Sequence, residues 1–204
     1  MSEPERIVIS LDDIRNSRRP QPATQPEPPR TSRPPSVPAK YTTPLADLEQ
    51  TQAVKAAQAW IDTYQPGKGL LLLGQVGTGK SSIAGSLATT LGAPVHASFW
   101  PVADMLSKMQ DEFNQTIDGY TVRQKIDRRD ALVLDDLGTE LPTAWQTKAL
   151  TDLVAHRYDN GLTLIATTNL TPKMLGERLG ERTVSRLHEM CELVQVTGTD
   201  RRRG

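Results

Sequence analysis

Cysteine is almost missing from these 204 residues. Cys191 stands alone, and the three histidines, His96, His156 and His188, are scattered. Neither an internal disulfide nor a Cys- or His-based zinc cluster can be built from that set. Long apolar runs are missing as well. None exceeds the four leucines at 70–73, far short of the ~20 residues that span a bilayer, so no membrane role is expected. The start of the chain has nothing resembling a secretory signal, which makes a cytoplasmic protein the expectation. An excess of one charge sign is also lacking: 24 basic and 24 acidic residues give a formal net charge of zero. Bulk electrostatics therefore draws the chain to neither nucleic acid nor an anionic membrane, and any DNA contact must be local.

Positions 20–38 have almost no large apolar residue and are rich in Pro, Ser, Thr, Gln and Arg. Such a stretch cannot bury enough surface to offset its ordering entropy and reads as disordered linker. It belongs to a tail, 1–41, that also contains the apolar island Arg6-Ile7-Val8-Ile9-Ser10-Leu11-Asp12-Asp13-Ile14. That island, 6–14, is too small to fold alone. Its sharper reading is a tethered partner-binding peptide that orders on contact; the plainer one is an ordinary disordered terminus.

The remainder, 42–204, reads as one domain, since the length leaves little room for two. Val54, Ala57, Ile61 and Tyr64 are spaced for an amphipathic helix that ends near 67–69. Five short apolar segments follow, at 70–73, 95–99, 131–134, 163–167 and 193–196. Between them lie helical stripes such as Val102, Met105, Leu106, Met109 and Phe113, or Leu150, Leu153, Val154 and Tyr158. That alternation predicts an α/β fold: a parallel five-stranded sheet sandwiched by helices.

The four leucines run into Gly74-Gln75-Val76-Gly77-Thr78-Gly79-Lys80-Ser81, after which a helical segment reaches about Leu91. Strand, glycine-rich loop and helix in that order form a phosphate cradle, the P-loop. Its glycines let backbone N–H groups converge on phosphate oxygens, the helix N-terminus adds partial positive charge, and Lys80 reaches the outer phosphates. Ser81 offers its hydroxyl to Mg²⁺, with Ser82 beside it in the same cradle. The expected ligands are thus ATP and Mg²⁺. Hydrolysis further needs a metal-holding carboxylate and a group acting on water. Ala131-Leu132-Val133-Leu134-Asp135-Asp136 supplies Asp135 for the metal and Asp136 for the water. The strand at 163–167 ends in Thr168-Asn169, which places Asn169 at the same crevice to sense the γ-phosphate or place water; an ordinary turn asparagine is the alternative.

Together with the segment 101–113, Leu134-Asp135-Asp136-Leu137-Gly138, Leu179-Gly180-Glu181-Arg182-Thr183-Val184-Ser185-Arg186-Leu187 and Gly198-Thr199-Asp200-Arg201-Arg202, these motifs resemble the AAA+ ATPases of the DnaC/DnaI helicase-loader group. That group also contains IstB-type transposition ATPases, and the resemblance spans roughly 42–202. It implies an AAA+ P-loop NTPase fold, here without a sizeable lid domain. It also implies that Arg186 is an arginine finger reaching a neighbouring subunit's nucleotide, with Arg182 as a secondary candidate, and that Arg202 is a sensor arginine. A finger given in trans implies self-association. In helicase loaders the segment corresponding to 98–113 touches single-stranded DNA, and Lys108 and Phe113 match best, although Phe113 also falls on the apolar stripe of its helix.

Asp136 departs from the Asp-Glu of many AAA+ proteins, which predicts slow, switch-like hydrolysis. The zinc-binding domain of DnaI-type members has no counterpart in this cysteine-poor chain, and the island at 6–14 is smaller than the helicase-binding domain of DnaC-type members. The leading expectation is an ATP-dependent loader of a DnaB-type replicative helicase onto single-stranded DNA. An IstB-like transposition helper and a nucleotide-gated adaptor with little hydrolysis are the alternatives.

Overall fold

Four consecutive leucines leave a strand no polar face, and β1 (Gly69–Leu73) is buried at every position. A strand buried on both faces belongs inside a parallel sheet covered by helices. The computed structural model, which describes residues 37–91, 95–113, 121–138 and 143–198, has such a sheet. Its strands β2 (Ala97–Pro101), β3 (Ala131–Asp135), β4 (Thr163–Thr168) and β5 (Cys191–Gln195) join β1 in the order β2-β3-β4-β1-β5. All four pairings are parallel. The chain divides into Met1–Arg33 and Pro34–Gly204, and the described residues belong to the second unit. The peptide at 6–14 lies outside them.

Seven helices are described: α1 (Gln52–Asp62), α2 (Lys80–Leu91), α3 (Val102–Phe113), α4 (Val122–Asp127), α5 (Ala144–Asp159), α6 (Pro172–Leu179) and α7 (Glu181–Met190). Threonine starts four of them. Thr51, Thr121, Thr143 and Thr171 each accept a backbone N–H of the first turn through their side chain, and Thr171 is followed by Pro172 at the first helical position. Side chains alternate along each strand, so one sheet supplies two cores. Leu70, Leu72, Val133 and Ile165 pack under α1 and α2, whereas Leu71, Leu73, Leu132, Leu134 and Leu164 pack under α3 to α7. The fold is that of a P-loop NTPase. Among the described residues no helix is long and apolar enough to cross a membrane.

Three local readings are corrected. The second strand covers 97–101 rather than 95–99, because Trp100 and Pro101 continue it opposite Leu134 and Asp135. Pro101 has no N–H to give, and β2 is an edge strand with β3 as its one neighbour. The last strand starts at Cys191 rather than Leu193; as an edge it carries polar residues, and Leu193 is 42% exposed. On α5 the inward position after Val154 is taken by Arg157, which is fully buried, while Tyr158 faces outward. The expected stripe holds at Leu150, Leu153 and Val154 and fails at Tyr158, because an arginine does not register as core.

Arg157 stays buried because backbone carbonyls surround it. Its Nε and Nη2 donate to Thr163 O at 3.1 and 2.8 Å, and Nη2 also reaches Arg129 O at 3.0 Å and Asp130 O at 3.1 Å. Desolvation lowers its pKa to about 10, opposed by the nearby Asp127, so it remains charged at neutral pH. The guanidinium clips the turn after α4 to the start of β4. Arg157→Leu strands those carbonyls in a buried site and should cost roughly 3–5 kcal/mol, read as a lower urea midpoint with an unchanged slope.

Candidate functional site

The carboxyl ends of β1, β4 and β3 are aligned, with Leu73 opposite Thr168 and Leu134 opposite Ala166. Every residue that follows these strands therefore emerges at one edge of the sheet. After β1 the loop 74–79 turns back on itself, using positive φ at Gly77 (82°) and Gly79 (95°), where a side chain would be strained. Thr78 Oγ1 donates to Gln75 O at 2.9 Å within the loop, and Gly74 N–H donates to Thr168 O at 3.3 Å, fastening it to β4. Val76 stands out at 54% exposure.

Lys80 opens α2 and is buried. Its Nζ donates to the loop carbonyls of Gly74 and Gln75 at 2.8 and 2.7 Å. An ammonium held over its own loop is placed to exchange those carbonyls for phosphate oxygens, which bear full charge. Ser81 and Ser82 are half-buried in the first turn of the same helix, where the helix dipole favours an anion.

One hydroxyl organises the opposite wall. Thr167, fully buried in β4, donates through Oγ1 to Asp135 Oδ1 at 2.7 Å and accepts the Asp136 N–H at 2.9 Å. Asp135 is buried, and its Oδ1 is held by Thr167. Asp136 is exposed and sits at φ 62°, a left-handed conformation that aspartate tolerates far better than most residues. The turn is pinned beyond it: Leu137 N–H donates to Thr167 O at 2.7 Å, Thr168 Oγ1 donates to Leu137 O at 2.8 Å, and Arg178 of α6 donates to Gly138 O. Asn169 follows Thr168, and its Oδ1 is buried without a hydrogen-bond partner among the described residues. Such an orphaned atom fits a site built for a ligand or a water held with one. Beside Asp135 and Asp136 a cavity of about 410 Å³ opens toward α3 and α5, lined there by Leu106, Gln110 and Gln146.

A phosphate loop, a buried carboxylate, an exposed carboxylate and an amide with an unpartnered oxygen thus gather at one end of the sheet. Residues 40–203 match the model of a family described as IstB-like ATP binding protein. The chain belongs to that family. Over 121 residues it is 28% identical to a putative insertion sequence ATP-binding protein of Sinorhizobium fredii (strain NBRC 101917 / NGR234), a match covering 57% of this chain and 38% of that protein. The chain thus spans well under half the length of this curated relative. Its fold is similar to the crystal structure of the DnaC helicase loader, with a TM-score of 0.71 and 24% identity over 78% of this chain and 98% of that one. It is also similar to AMPPCP-bound DnaA from Aquifex aeolicus, with a TM-score of 0.64 and 18% identity over 82% and 53% of the two chains. At those identities the likeness to solved structures concerns the fold.

Of the remaining candidates of this IstB-like chain, Arg182, Arg186 and Lys108 are not among the residues that line the cavity beside Asp135 and Asp136. Arg182 and Arg186 are on α7, the first exposed and the second half-buried. Arg186 Cζ lies 5.8 Å from the centroid of the Tyr158 ring. The Tyr158 hydroxyl donates to Glu189, and this carboxylate acceptor raises the Tyr158 pKa above its usual value. Lys108 is exposed on α3, with Nζ 5.4 Å from the ring centroid of the buried Trp100. Arg202 and the Phe113 side chain lie outside what is described.

Sequence reasoning missed Thr167, Thr168 and Arg178. A threonine in a strand passes for ordinary β propensity; the one available signal was that two of them precede Asn169. Thr167→Val should remove the partner of a buried carboxylate oxygen and destabilise the domain by about 1–3 kcal/mol, whereas Thr167→Ser should restore most of the loss in urea unfolding.

Proposed function

We propose that this chain is an ATP-hydrolysing switch which, in its ATP state, holds a hexameric DnaB-type replicative helicase for loading onto single-stranded DNA and releases it on hydrolysis. The observation that carries the enzymatic part is the Thr167-centred pair of Asp135 and Asp136, one strand away from the phosphate loop. In this reading Lys80 and the loop N–H groups bind the phosphates of ATP, the substrate. Ser81 and Asp135 hold Mg²⁺, which neutralises charge on those phosphates when bound. Among the described residues no cluster of three or more His, Cys, Asp or Glu could hold a metal ion, which suits a cation whose other ligands are nucleotide oxygens and water. Asp136 accepts a hydrogen bond from the attacking water and orients it, and Asn169 holds that water or a γ-phosphate oxygen. Arg186 of a second copy meets the charge that develops on the transferred group. Arg202 is assigned to nucleotide sensing.

Several features support the loader. The apolar peptide at 6–14, set apart from the domain by the proline-rich stretch 20–38, suits capture of a protein partner. The segment 98–113, assigned to single-stranded DNA, lines the cavity beside Asp135 and Asp136 through Pro101 and the first turns of α3, which gives strand binding a short route to the hydrolytic groups. Of the 24 basic and 24 acidic residues, 7 and 5 lie in positions 1–41, leaving 17 and 19 for the rest. A filament coating duplex DNA calls for more positive charge than that. The family model and the Sinorhizobium fredii relative, by its printed name an insertion sequence ATP-binding protein, favour a second reading: a transposition helper that assembles on duplex DNA.

Two measurements separate these readings. Asn accepts a left-handed φ as Asp does, so Asp136→Asn should keep nucleotide affinity and lower kcat by roughly 10²-fold or more. Lys80→Ala should weaken ATP binding itself. Equal turnover in wild type, Lys80→Ala, Asp136→Asn and Arg186→Ala would remove the enzyme reading. Co-purification with the host's replicative helicase, lost on deleting residues 1–19, is expected of the loader. Cooperative coating of duplex DNA with no helicase binding by either form would replace it with the transposition helper.

A further inference from the structure

Helix α5 carries an aromatic residue that the core does not use. Leu150, Leu153, Val154 and Arg157 fill its buried face, and Tyr158 is 37% exposed. Its surroundings are two residues of α7. Arg186 Cζ lies 5.8 Å from the ring centroid, and Glu189 Oε2 accepts the Tyr158 hydroxyl. Ser185 Oγ donates to the other oxygen, Glu189 Oε1, at 3.3 Å. Both oxygens of that carboxylate are therefore engaged.

The engagement matters because Arg186 and Glu189 stand three residues apart on one helix, a spacing at which opposite charges pair. Such a pair would fold the arginine down along α7. No ion pair between them is present among the described residues; the guanidinium is over the Tyr158 ring instead. A cation–π contact uses no N–H of the guanidinium in a hydrogen bond, so the fork is not committed to the ring and can meet a phosphate.

We propose that Tyr158, anchored by Glu189, is a positioning residue that holds the Arg186 guanidinium away from α7 and ready for a nucleotide phosphate bound by a second copy of this chain. The proposal rests on the reading of Arg186 as a group supplied in trans. An exposed contact of this type biases the arginine toward one orientation by about 2- to 5-fold. That is enough to raise the encounter rate and weak enough to yield when a phosphate offers a bidentate, charge-assisted partner.

The test measures ATP turnover and binding of a fluorescent non-hydrolysable ATP analogue for the full-length protein. Tyr158→Leu is expected to lower kcat by about 2- to 5-fold at unchanged nucleotide affinity, which also reports an intact domain. Tyr158→Phe alone frees Glu189 to capture Arg186 and should also slow turnover. Adding Glu189→Gln to Tyr158→Phe keeps a ring without a competing carboxylate and should restore the rate. In an Arg186→Ala background Tyr158→Leu should have no further effect, because the ring acts through the arginine. A normal rate in Tyr158→Leu beside a slowed Arg186→Ala would overturn the positioning role alone. So would a further loss in the double variant, or a Tyr158→Phe defect that Glu189→Gln leaves in place. An unchanged rate in Arg186→Ala would overturn the trans reading and the positioning role together.

Discussion

The Thr167 hydroxyl is the smallest group on which the site depends. It sits between the phosphate-loop strand and the Asp-Asp strand, donating to Asp135 and accepting from the Asp136 amide. A buried carboxylate needs such donors in place of the water it has lost, and the left-handed turn at Asp136 needs its backbone held to keep one conformation. One side chain meets both demands because β4 lies directly between β1 and β3. An order that separated β4 from β3 would put both contacts out of reach of Thr167, and one that separated β4 from β1 would lose the bond from Gly74 N–H to Thr168 O.

The opposite end of the sheet serves stability. There Arg157 draws carbonyls of the turn after α4 and of Thr163 around one buried cation. Thr163 Oγ1 in turn bonds with the Tyr64 hydroxyl and accepts Gly67 N–H, both at 3.0 Å. The single cysteine, Cys191, lies buried at the same end of β5, where desolvation pushes its pKa up to about 12 and keeps it an unreactive thiol at neutral pH. Arg157 and Thr163 at this end are therefore paired within the fold. At the carboxyl end Asn169 Oδ1 is left unpaired, as suits an edge that receives a ligand.

Much of this was legible in the sequence. Apolar strand segments alternating with helical stripes gave the layered sheet, and the loop at 74–81 could be recognised because its glycines, lysine and serine stand between a strand and a helix. Asp135, Asp136 and Asn169 were legible once that loop had fixed which end of the sheet matters. What could not be read depends on context that residue type hides. Arg157 occupies a core position with a charged side chain, Tyr158 sits outside with an apolar one, and Pro101 belongs to a strand because that strand is an edge. Thr167 looks like any strand threonine until its two neighbours are known.

The outlying position of Arg186 gives the site its character. Phosphate loop, carboxylates and amide gather at one edge of the sheet, whereas the arginine rests on a tyrosine of α5. In the proposed function each protomer holds a nucleotide that only a neighbour can finish acting on, so hydrolysis reports assembly. Mixing two inactive variants tests that claim most directly: Lys80→Ala, which keeps the arginine and loses the loop lysine, with Arg186→Ala, which keeps the loop and loses the arginine. The account predicts that the mixture turns over ATP well above the sum of the separate proteins; a mixture no more active than that sum would contradict it.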